Sequence, residues 1–409
     1  MKKRITIIGI NYFPEDTAIG LYTTQFAEYL NDNDFEVTVV TGFPYYPAWK
    51  INEKYKFRKF FLNENINGVN IFRYKQYVPK NPILTKRILH LIDFSFGTLI
   101  NCFKIKKADV VLCIVPFIGT VLIGKMLSKV KGAKLWVHIQ DFEFDAVSDS
   151  NLIKNKVNVG ILFKTLFWIE KRLLKSADFL STISNSMTFK LSQKVGNNKN
   201  QKLLPNWVDP NFIKPNNFKR HKFLSSLKFK ILYSGNIGEK QDWEFFIDFV
   251  KYLEPLKDIE VIVVGNGSKR VWLEEKLLDL NNIYFYSPVK YSELSDLLCS
   301  ADLHVLFQKN DVIDTVMPSK ILAMMSSKRP SIITGNLKSE VATIINSSNA
   351  GKYFHEKDIN QVVDFVKKIK EDYELKEIYG KSAREFVIKN FSKDMILNEF
   401  KNTLNLIVK

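Results

Sequence analysis

Ile231-Leu-Tyr-Ser-Gly-Asn-Ile-Gly-Glu-Lys-Gln241 reads as a strand that ends in a glycine turn and restarts as a helix. The apolar run Phe229 to Tyr233 has the length and composition of a buried parallel strand. Gly235 and Gly238 break it, and a helical pattern opens at Asp242. Unpaired N–H groups at a helix start and the helix dipole point at one spot, which favours an anion. Lys240 adds a mobile positive charge there. An ordinary strand-to-helix turn carries the same pattern, so the segment alone leaves a phosphate site and a plain turn both open.

The whole chain extends this unit in both directions. Its 409 residues exceed what one core usually serves, so two domains are expected. Apolar runs at Arg4–Ile10, Glu36–Thr41, Val69–Arg73, Asp109–Val115, Lys134–Asp141, Phe179–Ser184 and Lys202–Leu204 read as strands of a first half. A second set follows at Phe229–Ser234, Glu260–Gly265, Ile283–Tyr286, Leu303–Phe307 and Ser331–Thr334. Helical patterns alternate with them, and the tail from Asp358 is helical. Alternation of this kind predicts α/β architecture, two doubly wound Rossmann-like domains. The expected division is 1–208, a linker at 209–228, a second domain at 229–390, and a helix at 391–409 that returns to the first. Ligands of such sheets bind outside the carboxyl ends of the strands, here predicted in a cleft between the domains.

Composition narrows the setting. Cys102, Cys113 and Cys299 are scattered in apolar runs, as in a reduced cytosolic protein, with no metal-ligand spacing. The apolar run Ile5–Ile10 after Met1–Arg4 is too short for a signal peptide and reads as the first strand. Pro116 splits the longest apolar stretch, Val110–Gly124, into strand and helix rather than a membrane span. The net charge of +17 is lopsided: residues 1–208 hold 30 basic and 16 acidic side chains, residues 209–409 hold 30 and 27. Between Lys50 and Gln140 the ratio is 17 to 4. Interleaved there are Phe43, Tyr45, Tyr46, Trp49, Tyr55, Phe57, Phe60, Phe61 and the run Ile88–Phe103, read as exposed. Basic and apolar side chains together suggest a surface for anionic lipid headgroups. A basic face that merely keeps the protein soluble is the competing reading. No recognition-helix, zinc-finger or RNA-binding signature is present, so no nucleic-acid partner is expected.

Further segments carry a resemblance along nearly the whole chain. They are Tyr12-Phe-Pro14 with Gly20, Thr41-Gly-Phe-Pro-Tyr-Tyr-Pro47, Leu135-Trp-Val-His-Ile-Gln-Asp141 with Asp145, and Ser176-Ala-Asp178 with Ser184. Leu204-Pro-Asn-Trp-Val-Asp209, Ser234–Lys240, Val264-Gly-Asn-Gly267, Pro318-Ser-Lys320 and Glu340 complete them. In order and spacing the chain resembles a GT-B glycosyltransferase of family 4, of the colanic-acid and exopolysaccharide (capsule-type) branch. The resemblance implies transfer of a sugar from a nucleotide-sugar donor, with retention at the anomeric carbon and without metal or other cofactor. It also implies a polyprenyl-diphosphate-linked saccharide acceptor, and hence a cytoplasmic protein peripheral on the inner face of the plasma membrane. Donor-side residues would be Gly20, Gly235, Asn236, Gly238, Lys240, Gly265, Gly267, Ser319, Lys320 and Glu340. Asp141, His138 and Lys240 would be catalytic, with Glu143 and Asp145 as acceptor-side candidates.

Two positions depart from the family pattern. Its pair of glutamates eight residues apart falls near Asp314 and Thr315 and at Ala323, and its glycine-loop arginine falls at Asn236. The usual ribose contact is therefore in question, whereas Lys240, Ser319 and Lys320 retain the means to hold a diphosphate. Other enzymes remain open on this fold, an epimerase or a phosphorylase, as does a noncatalytic membrane- or carbohydrate-binding paralogue. No P-loop, third dinucleotide glycine or Gly-x-Ser-x-Gly elbow is present.

Overall fold

The computed structural model describes residues 2–16, 18–142, 157–197, 200–310, 319–354 and 359–408, without the side chains of Leu84, 157–163 and Ser319. The chain divides into two compact units, residues 1–205 with 397–409, and residues 206–396. The segment 209–228, expected as a linker, is instead laid on the second unit. Arg384 donates to the carbonyls of Pro210 (2.9 Å) and Ile213 (3.1 Å), and Ile213 and Leu224 are buried in that unit's core.

In the first unit the chain runs β1 (Lys3–Ile8), α1 (Ala18–Asp32), β2 (Phe35–Gly42), β3 (Phe61–Ile66), β4 (Val69–Tyr74) and α2 (Leu84–Cys102). It continues through β5 (Val110–Val115), α3 (Gly119–Lys131), β6 (Lys134–Ile139), α4 (Val157–Lys175), β7 (Phe179–Thr182), α5 (Asn185–Val195) and β8 (Gln201–Leu203). The sheet order is β3-β4-β2-β1-β5-β6-β7-β8, parallel except for the β3–β4 hairpin. Strand β5, Val-Val-Leu-Cys-Ile-Val, is a continuous apolar run and β1 is buried from Ile5 to Ile8, as in strands covered on both faces. The order reverses between β1 and β5, which places that unit's crevice at their carboxyl ends.

The second unit runs β9 (Phe229–Ser234), α6 (Trp243–Leu253), β10 (Ile259–Val264), α7 (Arg270–Lys276), β11 (Ile283–Tyr286), α8 (Leu294–Cys299), β12 (Leu303–Phe307) and α9 (Ser319–Ser326). Then follow β13 (Ser331–Thr334), α10 (Glu340–Ser348), β14 (Gly351–Phe354), α11 (Ile359–Glu371) and α12 (Tyr373–Phe391). Its sheet, β11-β10-β9-β12-β13-β14, is all parallel among the described residues and reverses direction at β9 and β12. The last helix, α13 (Lys393–Ile407), carries Phe400 into the first unit, against Phe26 (4.9 Å between ring centres) and Trp136 (5.8 Å).

Several aromatic side chains read as exposed are not. Phe43, Tyr45 and Tyr55 are buried, and Trp49 and Phe61 are half-buried, because the segment after β2 folds back over the sheet end. Tyr46, Phe57 and Phe60 are exposed as expected. Strands β3 and β14 escaped the sequence reading, since Phe61–Ile66 alternates weakly and β14 is only four residues long.

Candidate active site

The carboxyl edge of the second unit's sheet gathers most of the expected donor-side residues. Strand β9 pairs with β12 only at Leu303↔Ile231 and His304↔Leu232. Beyond that the loop after β9 crosses to β12: Asp242 N donates to Phe307 O (3.0 Å) and Lys309 N to Lys240 O (3.2 Å). Gln308 N then reaches Thr334 O (3.1 Å), and the Asn336 amide reaches Asn310 O (2.9 Å). The ends of β9, β12 and β13 thus form one rim, and Gly265–Gly267 after β10 adjoin it.

The glycines have a packing reason. A Cβ on Gly265 would lie 1.9 Å from Gly235 O, and one on Gly267 would lie 2.3 Å from Ile237 O. Gly235 has φ +142°, and a Cβ there would meet Lys320 Nζ at 2.9 Å. Three amides of this turn donate within the protein: Gly235 to Val264 O (2.9 Å), Ile237 to Asn266 O (2.9 Å) and Gly238 to Gln241 Oε1 (3.2 Å). The start of α6 is also occupied, since Asp242 caps it by accepting from Phe245 N (3.1 Å). The cradle of Gly235–Gly238 amides expected from the sequence is therefore corrected. The Gly235 and Ile237 amides lock the turn against the end of β10 and Gln241 holds the Gly238 amide within the turn, which leaves the cationic side chains of the rim as the candidates for meeting an anion.

Lys320 is the side chain so placed. It sits in the first turn of α9, half-buried, and donates to Tyr233 Oη at 3.1 Å with Nζ 4.8 Å from that ring's centre. Tyr233 Oη in turn donates to Asn236 O (2.6 Å), tying the lysine to the turn. Burial pushes the Lys320 pKa down from 10.5 to about 8. Lys240 is exposed on the same rim, as is Asn236. Glu340 is half-buried at the first position of α10, whose cap Ser339 accepts from Ala342 N (3.1 Å). Glu143, Asp145, Asp314, Thr315 and the Ser319 side chain lie outside the described residues.

In the first unit, His138 faces the core rather than an opening. The Trp136 indole donates to Ser181 Oγ (2.8 Å), His138 Nδ1–H donates to the same oxygen (2.8 Å), and the unprotonated Nε2 accepts from the Gln140 amide nitrogen (3.0 Å). Phe400 closes over the ring at 5.1 Å. Burial holds its pKa down at about 3, so it stays neutral. The catalytic role expected for His138 is corrected on this ground: it is a structural residue beneath the loop that carries Asp141. Asp141 itself is half-buried where β6 ends.

Gly20 lies in the first turn of α1, where a Cβ would meet Glu15 Cβ at 2.8 Å. Glu15 is buried and accepts from Tyr45 N, Tyr46 N and the Asn11 amide, each at 2.8 Å. Burial raises its pKa. With Pro14, Tyr45, Tyr46, Lys50 and Asn52 it lines a pocket of about 270 Å³. Arg73, fully buried, donates to Glu64 Oε1 and Phe13 O (both 2.5 Å) and joins the β1 loop to the sheet. Sequence reading passed over Glu15, Arg73 and Tyr233. A lone arginine in the strand Val69–Tyr74 was the available signal for the second.

The chain is 30% identical to the colanic acid biosynthesis glycosyl transferase WcaI of Escherichia coli (strain K12), over 98% of this chain and 99% of that one. The family described as "Glycosyl transferases group 1" matches residues 228–372, the unit that holds the Lys320 rim. The chain belongs to the group 1 glycosyl transferases. This glycosyl transferase shares its fold with sucrose-phosphate synthase from Thermosynechococcus elongatus, at TM-score 0.73 and 14% identity over 99% of both chains. It also resembles HepE of Anabaena, solved in complex with UDP-glucose, at TM-score 0.68 and 12% identity over 98% and 99%. The fold is GT-B, two Rossmann-like units with parallel sheets. Among the described residues of this glycosyl transferase no group of acidic, His or Cys side chains is placed to hold a metal ion.

Proposed function

We propose that this glycosyl transferase moves a sugar from a nucleoside-diphosphate sugar to a saccharide growing on a polyprenyl diphosphate, in the making of a bacterial surface polysaccharide. Transfer proceeds with retention, without metal, at the inner face of the plasma membrane. Support for the donor comes from HepE, which shares the fold and is seen with UDP-glucose. Support for the product class comes from the similarity to WcaI.

The observation that carries the reading is Lys320. Among the described residues no carboxylate shares an ion pair with it, and it stands against Tyr233 and Gly235 where the strand order reverses. Breaking the sugar–phosphate bond builds negative charge on the departing diphosphate. A cation held in place beforehand binds that charge more strongly than it binds the ground state, which lowers the barrier. The approach of the diphosphate also keeps Lys320 protonated, since a nearby anion raises its pKa. Lys240 supplies a second, mobile charge from the rim, and Glu340 accepts from donor hydroxyls. Asp141 serves the acceptor side from the first unit.

Release of nucleotide from a panel of nucleoside-diphosphate sugars, with and without lipid-linked acceptor, tests the proposal. Lys320→Ala and Lys240→Ala are each expected to lower kcat/KM by about thirtyfold to a thousandfold, or roughly 2–4 kcal/mol of transition-state stabilisation. Rates within about threefold of the parent would remove that lysine from the mechanism.

A further inference from the structure

Helix α2 is built inside out. A helix on the surface of a soluble domain turns its apolar stripe to the core. Here the buried side of α2 carries His90, Gly97, Thr98 and Asn101 beside Phe94. Gly97 is pressed so close to the Tyr74 ring that a Cβ would lie 2.0 Å from it. The outer side carries Ile88, Leu89, Ile92 and Phe96, which at about 100° per residue fall within an arc of about 100°. Ile92 is 60% exposed and Phe96 63%, and Phe103 just beyond the helix is 81% exposed. Helix α3 packs beside α2 and repeats the pattern, with Leu122, Met126 and Val130 four residues apart and all exposed. Single exposed apolar residues need no account, but two neighbouring stripes form a patch that does.

Charge decides what covers it. Lys80 to Lys134 contains ten basic residues and two acidic ones. Both acids are engaged within the protein: Asp93 accepts from Tyr74 Oη (2.9 Å) and Tyr77 N (2.6 Å), and Asp109 pairs with Arg4 (2.9 Å). Lys86, Arg87, Lys104, Lys106 and Lys129 are exposed around the stripes. No helix among the described residues is long and apolar enough to cross a membrane.

We propose that the outer faces of α2 and α3 form a docking surface for an anionic phospholipid bilayer, the side chains of Ile88, Ile92 and Phe96 entering the headgroup region. The basic residues draw the protein to the surface, and the stripes hold it there once ions screen the charges. The proposal specifies the membrane contact named with the function above, yet it rests on this face alone, so it can fail while sugar transfer stands.

Flotation of the full chain with phosphatidylcholine vesicles, with and without phosphatidylglycerol, tests it. Binding is expected with the anionic vesicles only, and part of it is expected to survive about 0.5 M salt, where screening confines charge effects to roughly 4 Å. Ile88→Ser/Ile92→Ser/Phe96→Ser, with an unchanged thermal melt, is expected to lose that salt-resistant part by about tenfold or more. Lys125→Gln/Lys129→Gln is expected to weaken low-salt binding and leave the salt-resistant part. Val271→Ser/Leu278→Ser, exposed on the other unit, is expected to bind as the parent does. Equal recovery with neutral vesicles, or a triple variant that floats like the parent, would overturn the proposal. So would a dimer without lipid that the triple variant dissolves, since the stripes would then belong to a second copy.

Discussion

Lys320 combines two opposed properties, and both can be measured. Its folded pKa of about 8 lies below the 10.5 of a free lysine, so between those values the unfolded chain binds more protons. Stability therefore rises with pH across that window, and the cost of burying the charge is full below about pH 8. Lys320→Met removes a cost of roughly 1–3 kcal/mol at pH 7, and Tyr233 keeps its bond to Asn236 O. A higher Tm with collapsed nucleotide release is the expected outcome; a lower Tm would mean the lysine is a structural tie. In the free enzyme kcat/KM is expected to fall as pH rises through about 8, and Lys320→Arg is expected to move that limb upward. His138 and His304 work in the same direction at lower pH, both held neutral down to about pH 3 by burial. The unfolded chain takes up protons at its histidines below about 6.5, so stability is expected to drop as pH falls from there towards 3. His138→Asn is expected to lower Tm and leave the pH profile of kcat/KM in place, whereas loss of its acidic limb would restore His138 to the catalytic set.

At the scale of elements, the site depends on two loops that touch backbone to backbone. Gly265→Ala would place a methyl 1.9 Å from Gly235 O, so the loops after β9 and β10 must part. A loss of about 1–3 kcal/mol in urea denaturation is expected, together with weaker donor binding. An unchanged midpoint with unchanged KM would show that the contact is not needed. Helix α13 has a comparable role in the first unit, where Phe400 fills the space among Phe26, Trp136 and His138. Phe400→Ala is expected to cost about 3–5 kcal/mol, read as earlier unfolding of that unit.

For the whole molecule the expectation is transfer that survives chelation. On the proposed mechanism Lys320 and Lys240 carry the diphosphate charge without a metal ion. Activity that is lost in EDTA and returns with Mg²⁺ or Mn²⁺ would defeat this.

Two Rossmann-like units were legible in the chain because a buried parallel strand must be a short apolar run, and twelve of the strands were found that way. The turn at Gly235–Gly238 was legible too, since a glycine break before a helix start is a local pattern. Which groups at that turn meet an anion was not, because the amide partners of Gly235 and Ile237 come from β10's end, some thirty residues away in the chain. His138 could not be told from a catalytic histidine by spacing: its burial depends on Ser181 and on Phe400. The Ile88–Phe103 run was read as exposed, and its outer side is, whereas His90, Phe94, Thr98 and Asn101 are buried and Gly97 is pressed on Tyr74, which only the packing decided. Local patterns specify elements, whereas burial and partnership depend on distant segments that meet only when the sheet closes.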